Sequence, residues 1–134
     1  ARFSVRETKI AIVADLGTLQ RLPLIVGQGH ARELAFTGKD LSAERAERMG
    51  LVNEVFTDAT ALAAGAAALA AEIAGNAPLT VRGVKRVLDF GTGRRVADGL
   101  DYVAAWNSAF LASEDLGEAL GSFLEKRPAK FLGR

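Results

Sequence analysis

The chain contains no cysteine, which excludes disulfide bonds, a thiolate nucleophile and thiolate metal ligands. It also lacks a strong charge of either sign, because 17 Lys and Arg residues are offset by 16 Asp and Glu residues to leave a net charge of +1. A field that weak does not recruit nucleic acid or an anionic membrane surface. We therefore expect neither nucleic acid nor a membrane among the partners of this protein.

Long hydrophobic runs are absent as well. The longest stretch of small apolar residues, from Ala59 to Ala71, contains Thr60 and Gly65 and falls short of the roughly 18 apolar residues that a membrane-spanning helix needs. The single histidine, His30, has no cluster of other ligands beside it, so no metal site is predicted. Apolar residues make up 49% of the chain and charged residues 25%, which is typical of a globular domain.

The spacing of apolar residues predicts a mostly helical chain with two short strands. Helix ends are signalled by two N-capping serines, a first-turn proline and a terminating glycine, which are Ser42, Ser113, Pro78 and Gly50. The apolar segments 3–14 and 51–56 are predicted to be extended. The first of them needs a sheet partner that the chain does not supply, which favours a fragment of a larger fold.

Two carboxylates, Glu7 and Asp15, flank a mostly apolar run near the beginning of the chain. Acids beside an apolar segment suit proton transfer, because poor hydration of a carboxylate makes proton exchange near neutral pH easier. The residue pattern taken alone also allows ordinary roles. Glu7 could be an acid at a strand edge, and Asp15 could cap the helix that follows Gly17.

Five segments in a fixed order resemble the crotonase (enoyl-CoA hydratase/isomerase) superfamily. They are Phe3-x-x-x-Glu7, Gln20-Arg-Leu22, Glu33 to Lys39, Ala46 to Phe56 and Phe123 to Phe131. The similarity covers essentially the whole chain, against the C-terminal half of a crotonase-type subunit. Asp15 stands where dienoyl-CoA isomerases have an aspartate, and the stretches from Ala14 to Pro23 and from Leu100 to Asn107 are similar to those isomerases too.

The resemblance implies the spiral α/β crotonase fold. Residues 1–57 would form the end of the α/β core, and residues 58–134 would form the C-terminal helical trimerisation domain. The expected partners are the N-terminal half of the same subunit and further copies, in a trimer or a dimer of trimers. The default location is a bacterial cytoplasm, with a mitochondrion or a peroxisome left open.

The implied activity moves a 3,5-dienoyl-CoA to the conjugated 2,4-dienoyl-CoA in fatty-acid β-oxidation. By resemblance, Glu7 takes the C2 proton and Asp15 protonates C6, while Lys126 and Phe123 contact the CoA moiety of the substrate. No metal and no redox cofactor is expected, since CoA enters as part of the substrate. The oxyanion hole would lie in the N-terminal half, so we expect the chain alone to be inactive.

Three alternatives stay open at this point. The first is another reaction of the superfamily, either enoyl-CoA hydration or Δ3-Δ2-enoyl-CoA isomerisation. The second is a helical module that oligomerises without catalysing a reaction. The third is nucleic-acid binding, against which the near-neutral net charge counts.

Overall fold

The computed structural model describes all residues from 1 to 134, and they form two compact units. Unit 1 comprises Ala1–Ala63 and unit 2 comprises Ala64–Arg134. The division lies inside a helix, and the predicted domain boundary after Thr57 stays a prediction. No single helix is long and apolar enough to cross a membrane, and one pair of helices reaches that length and hydropathy only jointly, across a bend of 105°.

Helices dominate both units, as the sequence predicts. Unit 1 contains β1 (Arg2–Phe3), a 3-10 helix (Glu7–Ile10), α1 (Thr18–Thr37), β2 (Leu41–Ser42) and α2 (Ala43–Arg48). The helix α3 (Ala59–Ala74) crosses the division, and unit 2 continues with α4 (Pro78–Gly91), α5 (Val96–Phe110) and α6 (Glu114–Glu125). The predicted signals at helix ends are confirmed. Ser42 and Ser113 each accept a hydrogen bond from a first-turn N–H, and Pro78 begins α4.

The prediction of an extended segment over residues 3–14 is wrong beyond its first residue. Only Arg2 and Phe3 form a strand, paired antiparallel with Ser42 and Leu41 of β2. The next residues turn into the 3-10 helix because their polar groups bind the end of α1 instead of a neighbouring strand. The Thr8 hydroxyl, for example, donates to the Ala35 carbonyl.

The predicted strand over residues 51–56 is also absent, because the end of α2 uses the hydrogen-bonding groups of that segment. Gly50 has φ 77° and closes the helix. The Leu51 N–H then donates to the Ala46 carbonyl at 2.8 Å, and the Val55 N–H donates to the Glu47 carboxylate at 3.0 Å. A terminating glycine followed by such a back-reaching bond is a common helix ending, and it leaves no ladder for a strand.

The core of unit 1 lies between α1, α2 and the start of the chain. Its members are apolar and at most 8% exposed, and they are Val5, Leu22, Val26, Ala31, Leu34, Ala35, Leu41 and Ala46. The helix α1 can bury residues on both sides of its middle because it bends at Gly27, where φ 78° and ψ 163° lie outside the helical region. Glycine reaches such a conformation without the steric cost that a side chain would add.

Unit 2 is assembled around aromatic side chains of α4 and α5. Phe90 stacks on Tyr102 with ring centroids 4.4 Å apart, and Trp106 lies 4.6 Å from Phe110. A Cβ atom at Gly83 would stand 2.4 Å from Nε1 of Trp106, so the indole packs directly on the backbone of α4. That close approach requires glycine at this position.

Candidate active site

Glu7 is the first residue of the 3-10 helix, and its neighbours are tied to the end of α1. The Ser4 hydroxyl donates to the Gly38 carbonyl at 3.1 Å, and the Thr8 hydroxyl donates to the Ala35 carbonyl. These two bonds fix the backbone on either side of Glu7. The Glu7 side chain itself is half-buried, and its carboxylate makes no hydrogen bond or ion pair within the chain.

The turn behind Glu7 is closed by an alanine in the left-handed region. Ala11 has φ 58° and ψ 33°, and its N–H donates to the Glu7 carbonyl. The Ile12 N–H donates to the same carbonyl at 3.0 Å. A residue with a Cβ atom pays about 1 kcal/mol or more for this conformation, and such residues are concentrated at functional sites. The backbone under Glu7 is therefore held in a defined and unusual shape.

The cation next to Glu7 in the sequence is engaged elsewhere. The Arg6 guanidinium pairs with Asp40, and Arg2 reaches the other oxygen of the same carboxylate at 3.4 Å. Sequence reasoning missed Ser4, Thr8 and Asp40 as residues that support Glu7. Their partners lie 27 to 38 positions away, and no local pattern signals a contact over that separation.

Asp15 lies in the irregular segment between the 3-10 helix and α1 and is exposed. The alternative in which Asp15 caps α1 is wrong, because the N-cap is Gly17, with φ 86° and no capping side chain. No hydrogen bond or ion pair joins Asp15 to Glu7 or to any other group of the chain. Between the two carboxylates the apolar side chains of Ile10 and Val13 are 64% and 76% exposed. The arrangement offers two free carboxylates beside an apolar surface, which suits proton transfer along an apolar ligand.

Lys126 and Phe123 belong to unit 2, at the end of α6. Phe123 is 82% exposed. Lys126 ends the helix in the left-handed region, with φ 53° and ψ 41°, and its ammonium group makes no ion pair. An exposed aromatic ring and a free cation three residues apart can bind a planar base and an anion of a ligand.

The neighbour of Lys126 is held tightly. Arg127 contacts both oxygens of Glu118, at 2.6 and 2.9 Å, and one oxygen of Glu125 at 2.5 Å. Hydrogen bonds from Arg127 and from the Lys130 N–H lower the pKa of Glu118 to about 2. Hydrogen bonds to Glu118 and to Glu125 raise the pKa of Arg127 above its usual range. Glu118 and Arg127 are therefore both charged at neutral pH.

Unit 1 also contains an ion-pair network in which three basic side chains surround the carboxylate of Glu33. Hydrogen bonds from Lys39 and Arg45 lower the pKa of this carboxyl to about 2. His30 lies one helical turn before it, with Nδ1 3.7 Å from a Glu33 oxygen. No group of three or more His, Asp and Glu side chains is arranged to hold a metal ion.

Comparison with known proteins places this geometry in a family. The family model described as enoyl-CoA hydratase/isomerase matches residues 1–134. The chain belongs to the enoyl-CoA hydratase/isomerase family. Its fold is the crotonase fold, of which this chain forms a mostly helical part.

Two relatives within this family carry the same activity in their names. The mitochondrial Δ(3,5)-Δ(2,4)-dienoyl-CoA isomerase of Dictyostelium discoideum is 51% identical over 131 residues, which are 98% of this chain and 45% of that protein. The peroxisomal enzyme of the same name from Arabidopsis thaliana is 49% identical, over 98% of this chain and 47% of that protein. The chain thus spans about half the length of the curated relatives it matches.

A solved structure confirms the fold at the level of coordinates. The enoyl-CoA hydratase from Bacillus anthracis superposes with a TM-score of 0.94 at 34% identity, over 100% of this chain and 52% of that one. The short β1–β2 ladder is compatible with close superposition on a family member.

Proposed function

We propose that this chain is the carboxylate-bearing part of a Δ3,5-Δ2,4-dienoyl-CoA isomerase. The observation that carries the proposal is the presence of two carboxylates, Glu7 and Asp15, that are both free of protein partners, in a chain about half identical to isomerases of that name. A hydratase-like role requires no second proton-transfer group at the position of Asp15. The free carboxylate there favours the isomerase.

The reaction shifts two double bonds into conjugation with the thioester and is redox-neutral. A proton leaves C2 and another arrives at C6, so two acid/base groups separated along an extended acyl chain are needed. Glu7 removes the C2 proton, and Asp15 delivers a proton to C6. Because no electrons are exchanged with a second reactant, we propose that the reaction uses no redox cofactor, and that CoA enters only as part of the substrate. We propose no metal either, since the two carboxylates and the oxyanion donors supply the proton transfer and the charge stabilisation.

Charge develops on the thioester oxygen while C2 loses its proton. Two backbone N–H donors typically stabilise such an oxyanion, at about 3–4 kcal/mol for each donor lost. We propose that an N-terminal half of the same subunit supplies them, since the relatives are about twice as long. On this basis the chain alone is inactive, and the complete subunit works as a trimer or a dimer of trimers.

For the CoA moiety we propose Lys126 and Phe123. The Lys126 ammonium group is free to meet a phosphate oxygen, and the exposed Phe123 ring can pack beside it. The location remains a prediction. A bacterial cytoplasm is the default, and the organelles in the names of the relatives are the other candidates.

Enoyl-CoA hydration is the second candidate function, and the names of the solved structures favour it. The Bacillus anthracis neighbour is a hydratase at 34% identity. Water addition to a 2-enoyl-CoA needs acid/base chemistry at C2 and C3 only. A hydratase therefore keeps its activity when Asp15 is replaced, whereas the isomerase loses it.

The test uses the complete subunit, because the chain alone is expected to be inactive. Intact mass spectrometry verifies that the N-terminal half is present, and an ultraviolet assay follows the formation of conjugated 2,4-dienoyl-CoA. With a 3,5-dienoyl-CoA substrate, Asp15→Asn should reduce turnover about 10²-fold or more, because one proton-transfer step loses its acid. Glu54→Gln, an exposed and unpaired carboxylate of unit 1, should leave turnover unchanged. Hydration of 2-enoyl-CoA without isomerisation would reject the isomerase, and stable oligomers that bind no thioester would indicate a non-catalytic module.

A further inference from the structure

The end of α6 has a conformation that a lysine rarely adopts. Only two residues other than glycine have positive φ, and Lys126 is one of them. Its N–H donates to the Phe123 carbonyl at 3.3 Å, and the Arg127 N–H donates to the Ser122 carbonyl at 3.1 Å. This pair of bonds ends many helices, and the residue in the left-handed position is usually glycine. A strained backbone at this point must be held by the contacts around it.

Glu118 supplies those contacts from one side chain. It lies on α6, two turns before Lys126, and is 23% exposed. Its two oxygens accept hydrogen bonds from the Arg127 guanidinium, and one of them also accepts from the Lys130 N–H at 2.7 Å. The carboxylate thus fixes the chain one residue and four residues beyond Lys126, while Lys126 itself is left unpaired.

We propose that Glu118 is a positioning residue, which acts through Arg127 and the Lys130 backbone to hold Lys126 in the left-handed turn with its ammonium group directed at a phosphate of the CoA thioester. The inference rests on the proposed function for the identity of the ligand. It goes beyond that function in assigning a role to a residue that touches no substrate. Glycine at position 126 would relieve the strain but would remove the ammonium group.

The charges around the turn support separate roles for the two residues, with Glu118 holding the turn and Lys126 meeting the phosphate. Arg127 is engaged by Glu118 and Glu125, so neither carboxylate is left to neutralise Lys126. The pKa of Glu118 is lowered to about 2, so its carboxylate is ionised, and can bind Arg127, at any pH at which an enzyme of this class would be assayed. The unpaired Lys126 ammonium group and the ion pair between Glu118 and Arg127 are therefore present together.

The experiment measures binding of octanoyl-CoA, whose saturated chain can be neither isomerised nor hydrated, to the complete protein. Lys126→Met should weaken binding about tenfold or more, since a hydrogen bond between charged groups is lost. Glu118→Gln should weaken it about threefold or more in the presence of Lys126, and should add little in the Lys126→Met background, because two residues that act as a unit are not additive. Glu114→Gln removes an exposed ion pair of the same helix, with Arg134, and should change nothing.

Two further variants distinguish a loss of binding from a loss of folding. Arg127→Lys keeps the charge but breaks the bidentate contact, and it should reproduce the effect of Glu118→Gln with the melting temperature little changed. Lys126→Gly should raise the melting temperature, because the strain is gone, yet bind octanoyl-CoA as weakly as Lys126→Met.

The possible failures are distinguishable. Unchanged binding in Glu118→Gln, or an equal loss with and without Lys126, would overturn the positioning role. Unchanged binding in Lys126→Met would overturn both the lysine contact and the positioning role. Isomerisation that still depends on Asp15 would leave the proposed reaction standing in either case.

Discussion

The two units bury different kinds of side chain. Every apolar residue that is at most 8% exposed lies in unit 1, between Val5 and Ala46. In unit 2 the buried side chains are polar, Asp115 and Ser122, while large apolar residues of its helices are exposed, such as Leu88 at 68%. Unit 1 is thus stabilised by an apolar core of its own. Unit 2 is stabilised by aromatic packing and polar contacts. Large apolar side chains are exposed in unit 1 as well, such as Leu16 at 84%, and the trimerisation role of unit 2 stays a prediction.

The largest expected effect concerns the core of unit 1. Leu41 is 1% exposed, so Leu41→Ala should lower the free energy of unfolding by about 2–5 kcal/mol through lost burial and a cavity. Leu88→Ala, at an exposed position of α4, should change it by no more than about 0.5 kcal/mol in the unassociated chain. Denaturant unfolding followed by circular dichroism measures both. Equal losses in the two variants would contradict the contrast between the units.

Aromatic packing in unit 2 is tested at Gly83. A methyl group there would lie 2.4 Å from Nε1 and 2.7 Å from Cε2 of Trp106, so Gly83→Ala should destabilise unit 2 by about 1–3 kcal/mol through overpacking. Trp106 is the single tryptophan, and its fluorescence should shift when the indole is displaced. Gly91→Ala is the matched control, since nothing lies within 4 Å of that site. An unshifted emission in Gly83→Ala would show that α4 and α5 are not held by this contact.

Asp115 of unit 2 is 4% exposed, and its carboxylate holds the last residues of the chain by hydrogen bonds. Its two oxygens accept from the Leu132 N–H at 2.7 Å and the Gly133 N–H at 2.9 Å. Asp115→Asn keeps one acceptor oxygen, so one buried bond is lost at a cost of about 1–3 kcal/mol. Hydrogen exchange should accelerate at residues 132 and 133. Retained protection there would mean that the end of the chain is held by other contacts.

The smallest effect is expected for the partly exposed ion pairs of Glu33 in unit 1. The pKa of Glu33 is lowered from 4.5 to about 2, first by Lys39 and then by Arg45. Its contribution to stability is therefore present above pH 4.5 and is lost as the pH falls toward 2. Glu33→Gln should lower the melting temperature slightly at pH 7, and the difference from the wild type should vanish near pH 2. A difference that persists in acid would assign the effect to packing instead of charge.

Local signals predicted the helices well. Ser42, Pro78 and Ser113 act on groups within three residues of themselves, so their roles are visible in the sequence. The extended segments failed because their hydrogen bonds go to distant partners. Thr8 binds the carbonyl of Ala35, and the N–H of Val55 binds the side chain of Glu47.

The candidate site likewise contains residues that the sequence indicates and contacts between distant residues that it does not. Glu7, Asp15, Lys126 and Phe123 could be named because the resemblance to a family marks their positions, and their roles stay predictions. The contacts of Glu118 and Asp115 with the end of the chain could not be foreseen, because they join residues 9 to 18 positions apart through geometry that no short pattern records. A predicted site therefore lists the groups that meet the ligand and omits those that hold them in place.

The bend of α1 has a consequence for the two carboxylates of unit 1. The last turn of this helix anchors the segment of Glu7 through Ala35 and Gly38, and its first turn begins just after Asp15. Gly27 lies between these ends, and a Cβ atom at this position would meet nothing within 4 Å. A change of a few degrees at this one joint would shift the segment of Glu7 relative to that of Asp15, so in the proposed reaction the separation of the two carboxylates depends on helix geometry as well as on the acids themselves.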